Sequence, residues 1–425
     1  MGISGYEAFL IVTISPMFLG IGSLRRLVAQ NRGIFHLISL AGVASYLLPH
    51  PPVRLATSAF GISVSILTWC ATWIESKDNS SDLERNIVVW GLGLLVHNLV
   101  KLTWWTENPI WPIMKPSIGG QNEIGLVLGI IACAEMVVRD NFKREHVRAG
   151  APKTTKSVTK ESWFSAALGF GSLLFALHSM FSDSSTIMRW TVDGYPNPGP
   201  EPVPWGIATI AALGLGFVMY PLRNFVTGYL WYLVGCAGCF VFYNFPGWTG
   251  YYGGLVLGTY LTSVTPALIR SVIVHPPFKT LLTGTMVYNL LCLAHVWVVA
   301  YEFVPGGVYA RERTNWILSA VMLTLGLGII NAQKANATYQ IPQLKSIRVT
   351  RRYTILSLLT ILGLSGLASY SRISLAKTPE PYRPTEKVFT AGIWTIHFAL
   401  DNDMWASETR MRDVIRDLEL DVVGK

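Results

Sequence analysis

The sequence predicts an all-α polytopic membrane protein of about twelve transmembrane helices, followed by a short truncated α/β tail. Three observations carry the prediction. Hydrophobic residues make up 51% of the 425 residues and charged residues 14%, where a soluble domain carries about 25% charged residues. The apolar residues arrive in long blocks, most of them sufficient to cross a bilayer core of roughly 30 Å. The basic residues behind the formal charge of +9 are concentrated between the blocks. That pattern reads as topology and contact with anionic lipid, and it argues against nucleic acid.

In chain order the apolar blocks fall near 6–24, 34–49, 55–74, 86–106, 122–138, 163–182, 205–222, 227–243, 248–272, 281–304, 315–332 and 354–370. No cleavable signal pattern opens the chain, so the first block is expected to act as a signal anchor. The second is cut short by His50-Pro51-Pro52 and reads either as a span or as a re-entrant element. Close helix packing is expected where small residues recur, at Gly254 and Gly258, at Gly326 and Gly328, and at Gly363 and Gly366. Trp104, Trp105, Trp111, Trp163 and Trp205 sit at block ends, as an interfacial aromatic belt does. All five cysteines lie inside apolar blocks, where a thiol is a small packing residue; Cys236 and Cys239 have no second metal half-site near them.

Basic residues orient the chain. Counted over the loops, the side that follows the first helix carries twenty Lys and Arg and the other carries five. The twenty-residue side is therefore expected in the cytosol. Arg372, Lys377, Arg383 and Lys387, after the last block, argue the other way and are outweighed. The loops at 189–204 and 305–314 and the C-terminal tail then face the lumen. The sequons at Asn79 and Asn336 fall on cytosolic loops and are expected to stay unglycosylated. The organisation read from this is a front membrane region at 1–138 and a basic cytosolic loop at 139–162. A rear membrane region at 163–372 and a Pro-rich linker at 373–387 follow, then the α/β start at 388–425.

Two of the lumenal loops carry unusual residues. In Phe303-Val304-Pro305-Gly306-Gly307-Val308-Tyr309-Ala310-Arg311-Glu312-Arg313, the proline and glycines end a helix and permit a tight turn. Arg311 and Arg313 then flank Glu312, with Glu302 nearby as a counter-charge. Arginine forks suit phosphate groups. The companion loop runs from Arg189, Trp190 and Asp193 to Pro200. Two readings stand side by side: a lipid-headgroup site, and a rigid charged turn between helices. At membrane depth, His97, Glu135, His178 and His295 are costly to bury and so informative. His178 and His295 precede the two loops by two to three helical turns and are placed to line a cavity beneath them. There each either handles a hydroxyl, phosphate or proton, or bonds to a neighbouring helix.

After the linker, Val388 to Leu400 reads as a strand, Ser407 to Leu418 as an amphipathic helix, and Asp421 to Gly424 as the start of a second strand. About forty residues are too few for a core of their own, so this segment is expected to be loose or parked against the membrane region.

The runs FVPGGVYARER and RWTVDGYPNPGPEPVPWG, with GYEAFLIVTISPMFLGI at the start, NPIW at Asn108 to Trp111 and FALDNDMWASETR near the end, resemble the GPI-anchor lipid-remodelling family of the calcofluor-white-hypersensitivity type and its animal relatives. The resemblance covers nearly the whole chain. It implies a membrane protein of the endoplasmic reticulum that exchanges the diacylglycerol-type lipid of a GPI anchor for ceramide. GPI lipid and ceramide would be its ligands, with Arg189, Trp190, Asp193, Arg311, Glu312 and Arg313 at the headgroup. It also implies a C-terminal endonuclease/exonuclease/phosphatase-like domain that binds a divalent metal. The chain ends at Lys425 before that domain's metal-binding glutamate, so no metal or cofactor is expected in this chain, and its catalytic residues are not assigned. Fungal members often begin with an extra multi-helix region, whereas this chain starts with the later one; it reads either as a truncated gene model or as a naturally split protein, the second with a separate remodelling partner in the membrane. A polytopic lipid transporter or scramblase, and a non-catalytic scaffold for such a partner, are the alternative readings.

Overall fold

The computed structural model describes residues 5–104, 108–147, 161–194, 199–336, 344–375, 380–396 and 399–424. Trp105, the basic loop at 148–160, Tyr195 to Pro198 of the first signature loop, the end of the Asn336 sequon and linker residues 376–379 lie outside them.

The chain opens with α1 (Gly5–Ile14), which continues as a 3-10 turn to Gly20 and then bends by 104° into α2 (Gly22–Gln30). Next come α3 (Arg32–Ser39), α4 (Ala41–Ala44), α5 (Pro51–Glu75), α6 (Ser80–Thr103) and α7 (Asn122–Val147). The rear region holds α8 (Trp163–Phe181), α9 (Thr186–Thr191), α10 (Pro202–Met219), α11 (Arg223–Val226), α12 (Tyr229–Asn244) and α13 (Gly247–Ile273). It continues with α14 (Pro277–Trp297), α15 (Gly307–Ala310), α16 (Thr314–Asn336) and α17 (Leu344–Leu375). The tail adds β1 (Ala391–Ile393), α18 (Glu408–Asp417) and β2 (Val422–Gly424).

Local chemistry sets several of these limits. Pro51, Pro202 and Pro277 open α5, α10 and α14, where a missing backbone N–H costs nothing. The Asn79 side chain caps α6 by accepting from the Asp82 N–H (3.2 Å), and Ser162 caps α8 through the Ser165 N–H (3.3 Å).

Among the described residues, eight helices are long and apolar enough to cross a membrane: α5, α6, α8, α10, α13, α14, α16 and the 347–374 part of α17. The bent α1–α2 pair makes nine. The expected count of about twelve is therefore not reached on length and composition. Residues 32–47 and α12 are shorter apolar stretches. In α7 the apolar run is interrupted by Glu135, Arg139 and Asp140. Residues 32–47 are broken into α3, α4 and a 3-10 turn, in line with the proline pair that follows.

The rear bundle is built around α13, whose apolar stretch is almost wholly buried. Glycines allow the closest approaches. A Cβ at Gly258 would lie 2.8 Å from the Phe181 ring, and one at Gly328 would lie 2.7 Å from Gly169 Cα. Gly363 and Gly366, expected to pack in the same way, face open space instead.

Contacts along the helices sort the bundle into two ends. One end gathers ion pairs, those of Asp140 and Glu84 largely buried and that of Glu75 exposed. Arg32 holds Asp140 through two bonds of 2.6 Å, Arg25 meets Glu75 at 2.6 Å, and Glu84 of α6 receives both Arg223 and Arg270, the latter at 3.4 Å. The other end gathers the C-termini of α6, α8, α14 and α17: Arg372 donates to the Leu102 carbonyl, and Gly206 packs on Leu102 and Ser184.

The tail forms one β-α-β unit. β1 and β2 pair in parallel, Gly392 opposite Val423. The strands are shorter than the sequence suggested, three residues each. The tail docks beside the start of α5 and the 108–121 loop. Trp405 is buried between the Arg54 guanidinium (3.6 Å from the ring centre) and the Lys115 ammonium (4.0 Å). Arg54 also donates to the carbonyls of Asp403 (2.6 Å) and Met404 (2.9 Å), and the Ala406 N–H donates to the Ile113 carbonyl (3.1 Å). The Asp421 carboxylate accepts the N–H groups of Thr390 and Tyr382, both at 2.8 Å. Those bonds, that from Thr390 first, hold its pKa below the usual carboxylate range.

Candidate functional site

The first signature loop begins where α8 ends. The Asp183 carboxylate accepts the Ser185 N–H (2.8 Å) and hydroxyl (2.9 Å), and α9 starts one residue later. Arg189 lies in α9 with a mostly exposed side chain, 3.9 Å from Asp183. Trp190 turns back onto the bundle. Its ring stacks on Phe242 at 5.4 Å and on His295 at 6.3 Å. Asp193 is exposed just beyond α9.

The second loop begins earlier than the apolar run implied. α14 ends at Trp297, not near 304. Residues 298–313 fold back on themselves, the Glu312 N–H reaching the Val298 carbonyl at 2.9 Å. Gly306 takes φ +85°, a conformation that glycine adopts without cost, and a side chain on Gly307 would strike the Tyr301 carbonyl. Arg311 donates to the Ala300 carbonyl and to Glu312, both at 3.5 Å, so its nearest carboxylate is that of Glu312 and not Glu302. The Arg313 guanidinium lies 5.2 Å over the Trp316 ring.

The two histidines occupy different settings. His295 sits between Trp190 and Phe175, whose ring centre is 5.9 Å away. It thus ties α14 to the first signature loop. His178 Nδ1 is bonded to the Tyr288 hydroxyl at 2.8 Å. His97 is half-buried on α6, and Glu135 is exposed on α7, 3.5 Å from Arg139. The structure therefore joins Trp190 to His295, and places His178 on the neighbouring face of α8. Arg189 turns to Asp183, while Arg311 and Arg313 stay with their own loop. Both loops nevertheless lie at one end of the bundle, because α8 and α14 run parallel and α16 runs back.

Below the first loop lies a cavity of about 340 Å³ between the front and rear regions. Its walls are mostly apolar, with Trp69, Trp73, Trp90 and Phe170 prominent. Polar groups gather toward the loop end: His178, Ser182, Tyr288 and, from the bent first helix, Thr13, which accepts from the Asn289 amide at 2.8 Å. No Asp, Glu, Lys or Arg lines it. His178 is thus one of its lining residues; His295 is not.

Sequence reasoning did not find Tyr288, Thr13 or the tryptophans, which read as ordinary helix and belt residues. It also missed Glu84 with its two arginines. A glutamate at the start of an apolar run and an arginine inside one were the available signals. Among the described residues no group of three His, Cys, Asp or Glu stands close enough to hold a metal ion. Asp421 in the tail is already occupied by backbone donors.

Fold and site together define a polytopic helical membrane protein with an intramembrane cavity and a docked α/β tail. Residues 1–135 match the family model for the first transmembrane domain of PGAP2IP, residues 159–338 its second transmembrane domain, and residues 386–425 its C-terminal nuclease-like domain. The chain is also 37% identical over 439 aligned residues to the Protein cwh43 of Schizosaccharomyces pombe, an alignment that covers 100% of this chain and 44% of that protein. The chain belongs to the Cwh43/PGAP2IP family of membrane proteins. It spans less than half the length of this relative.

Proposed function

We propose that the chain is the membrane module of a GPI-anchor lipid-remodelling protein, acting in the endoplasmic reticulum with its signature loops and tail in the lumen. One observation carries the reading: both arginine-bearing loops and the docked tail lie at the same end of the bundle, with the cavity opening beneath the first loop. A lipid there would meet guanidinium groups at its phosphate and an apolar wall along its chains.

In this reading Arg189, Arg311 and Arg313 hold the phosphate of the GPI lipid, and Trp190, fixed by His295 and Phe242, borders the headgroup. Asp193 and Glu312 keep the loops from binding anions indiscriminately. The exchanged lipids are the diacylglycerol-type anchor lipid and ceramide. Bond exchange itself belongs to the domain that the tail begins, or to a separate remodelling partner in the membrane. The clamp at Trp405 would hold that domain over the lipid.

The test is charge reversal of Arg311 and Arg313 in the full-length protein. Ceramide-anchored products should disappear while the protein remains at its normal level. Unchanged remodelling would overturn the headgroup assignment. Transport is less well supported: among the described residues one helix pair is broken, α1–α2, whereas transporters of the inverted-repeat kind use corresponding breaks in both halves.

A further inference from the structure

The cavity between the front and rear regions has a shape and chemistry that narrow its occupant. It is lined along α8 from Phe170 to Ser182, which at the helical rise is roughly 18 Å. Spread over that length, a volume of about 340 Å³ accommodates a single alkyl chain, and the apolar lining suits one. Its floor, near Trp73 and Leu281, is apolar. The Thr285 hydroxyl beside the floor donates to the Leu281 and Leu282 carbonyls; the other hydroxyls and the imidazole collect toward the other end, where His178 is exposed.

The polar end carries hydrogen-bonding groups and no formal positive or negative side chain. Lys101 acts on His178 electrostatically but does not line the cavity, so an ionised head drawn inside would be desolvated without a charged partner on the wall, at a cost of several kcal/mol or more. An ester, amide or hydroxyl would find partners in Tyr288, Ser182 and His178.

We propose that this cavity binds a single hydrocarbon chain of a lipid with an uncharged head, the chain lying along α8 and the ester, amide or hydroxyl at His178 and Tyr288. The inference rests on the lipid-remodelling reading for its physiological setting, and it assigns the two parts of a lipid to different places. The phosphate stays outside with the arginine loops; the uncharged lipid enters. The bent first helix supplies Thr13 and Pro16 to the wall, so the front region completes a site that the rear region does not enclose alone.

The experiment uses the purified chain in lipid nanodiscs with two photoreactive, alkyne-tagged probes of equal chain length, a diacylglycerol and a phosphatidic acid. The diacylglycerol should label peptides containing Trp69 to Trp73 and Phe170 to Ser182, several-fold more than the phosphatidic acid does. Leu174→Trp, which fills the cavity, should lower that labelling at least tenfold with the melting temperature unchanged. Should this variant fold poorly, the double change His178→Phe and Tyr288→Phe keeps the volume and removes the polar groups; it should lower diacylglycerol labelling about fivefold.

Labelling spread over outward-facing residues such as Leu128 and Leu230, indifferent to these substitutions, would overturn the proposal. So would equal labelling by phosphatidic acid. Leu174→Trp in the full-length protein separates the two readings. Loss of cavity labelling with remodelling intact would keep the binding site and remove its part in remodelling.

Discussion

Glu161 and His275 form a pair that no motif announced. Glu161 Oε2 stands 3.8 Å from His275 Nε2, and neither atom has a hydrogen-bond partner among the described residues. Burial pushes the Glu161 carboxyl up to about 7. Burial, and then Lys279, pushes the His275 imidazole down. A raised carboxyl pKa means that the folded state binds the proton more tightly than the unfolded state. The contribution of Glu161 is therefore fully present below its unfolded pKa and is lost as pH rises through about 7. His275, with a depressed pKa, contributes the opposite slope, and only below its ordinary value of 6.5. Above pH 7 the uncompensated Glu161 cost remains. Glu161→Gln should raise the melting temperature by a few degrees at pH 8 and change it little at pH 4; an unchanged or lower value at pH 8 would contradict this. His178 and His295 were legible because a histidine inside an apolar run is expensive. Tyr288 and Trp73 were not, because tyrosine and tryptophan are ordinary in membrane helices, and only their convergence on one cavity distinguishes them.

At the scale of elements, the tail shows how a fragment without a core stays in place. β1, α18 and β2 bury little of their own, and Trp405 is held from outside by two cations. A desolvated cation–π contact contributes about 2 kcal/mol, enough to shift docking more than tenfold. Trp405→Ala should therefore release the tail. Proteolysis between 380 and 424 should speed up at least tenfold while the membrane helices stay protected; equal protection in the variant would show that the clamp does not hold the tail. The β-α-β order was readable from alternating and amphipathic patterns, but the partner of Trp405 was not, since Arg54 and Lys115 lie some three hundred residues away in sequence. The end of α14 was misplaced for a related reason. Val298 to Val304 is apolar enough to continue a helix, yet these residues turn back because the Val298 carbonyl takes the Glu312 N–H, a bond that hydropathy does not encode.

For the molecule as a whole, the class was legible from composition and block length, whereas the number of crossings was not. Short or charge-interrupted segments such as α12 and α7 sit at the margin of what apolar length decides. What the fold adds is a division between two ends. One is braced by buried ion pairs around Glu84 and Asp140. The other bears the arginine loops, the polar end of the cavity and the docked tail. The account requires that this second end face the lumen. Asn79 caps α6 at the first end, and Asn336 closes α16, which runs from the second signature loop toward it.

Glycosylation mapping tests that requirement most directly. A new sequon placed in the 191–204 loop would be scored beside the native sequons at Asn79 and Asn336 in cells. The account predicts modification in the new loop alone. Modification at Asn79 or Asn336, with the new loop unmodified, would put the arginine loops on the cytosolic face and contradict a lumenal lipid-remodelling site.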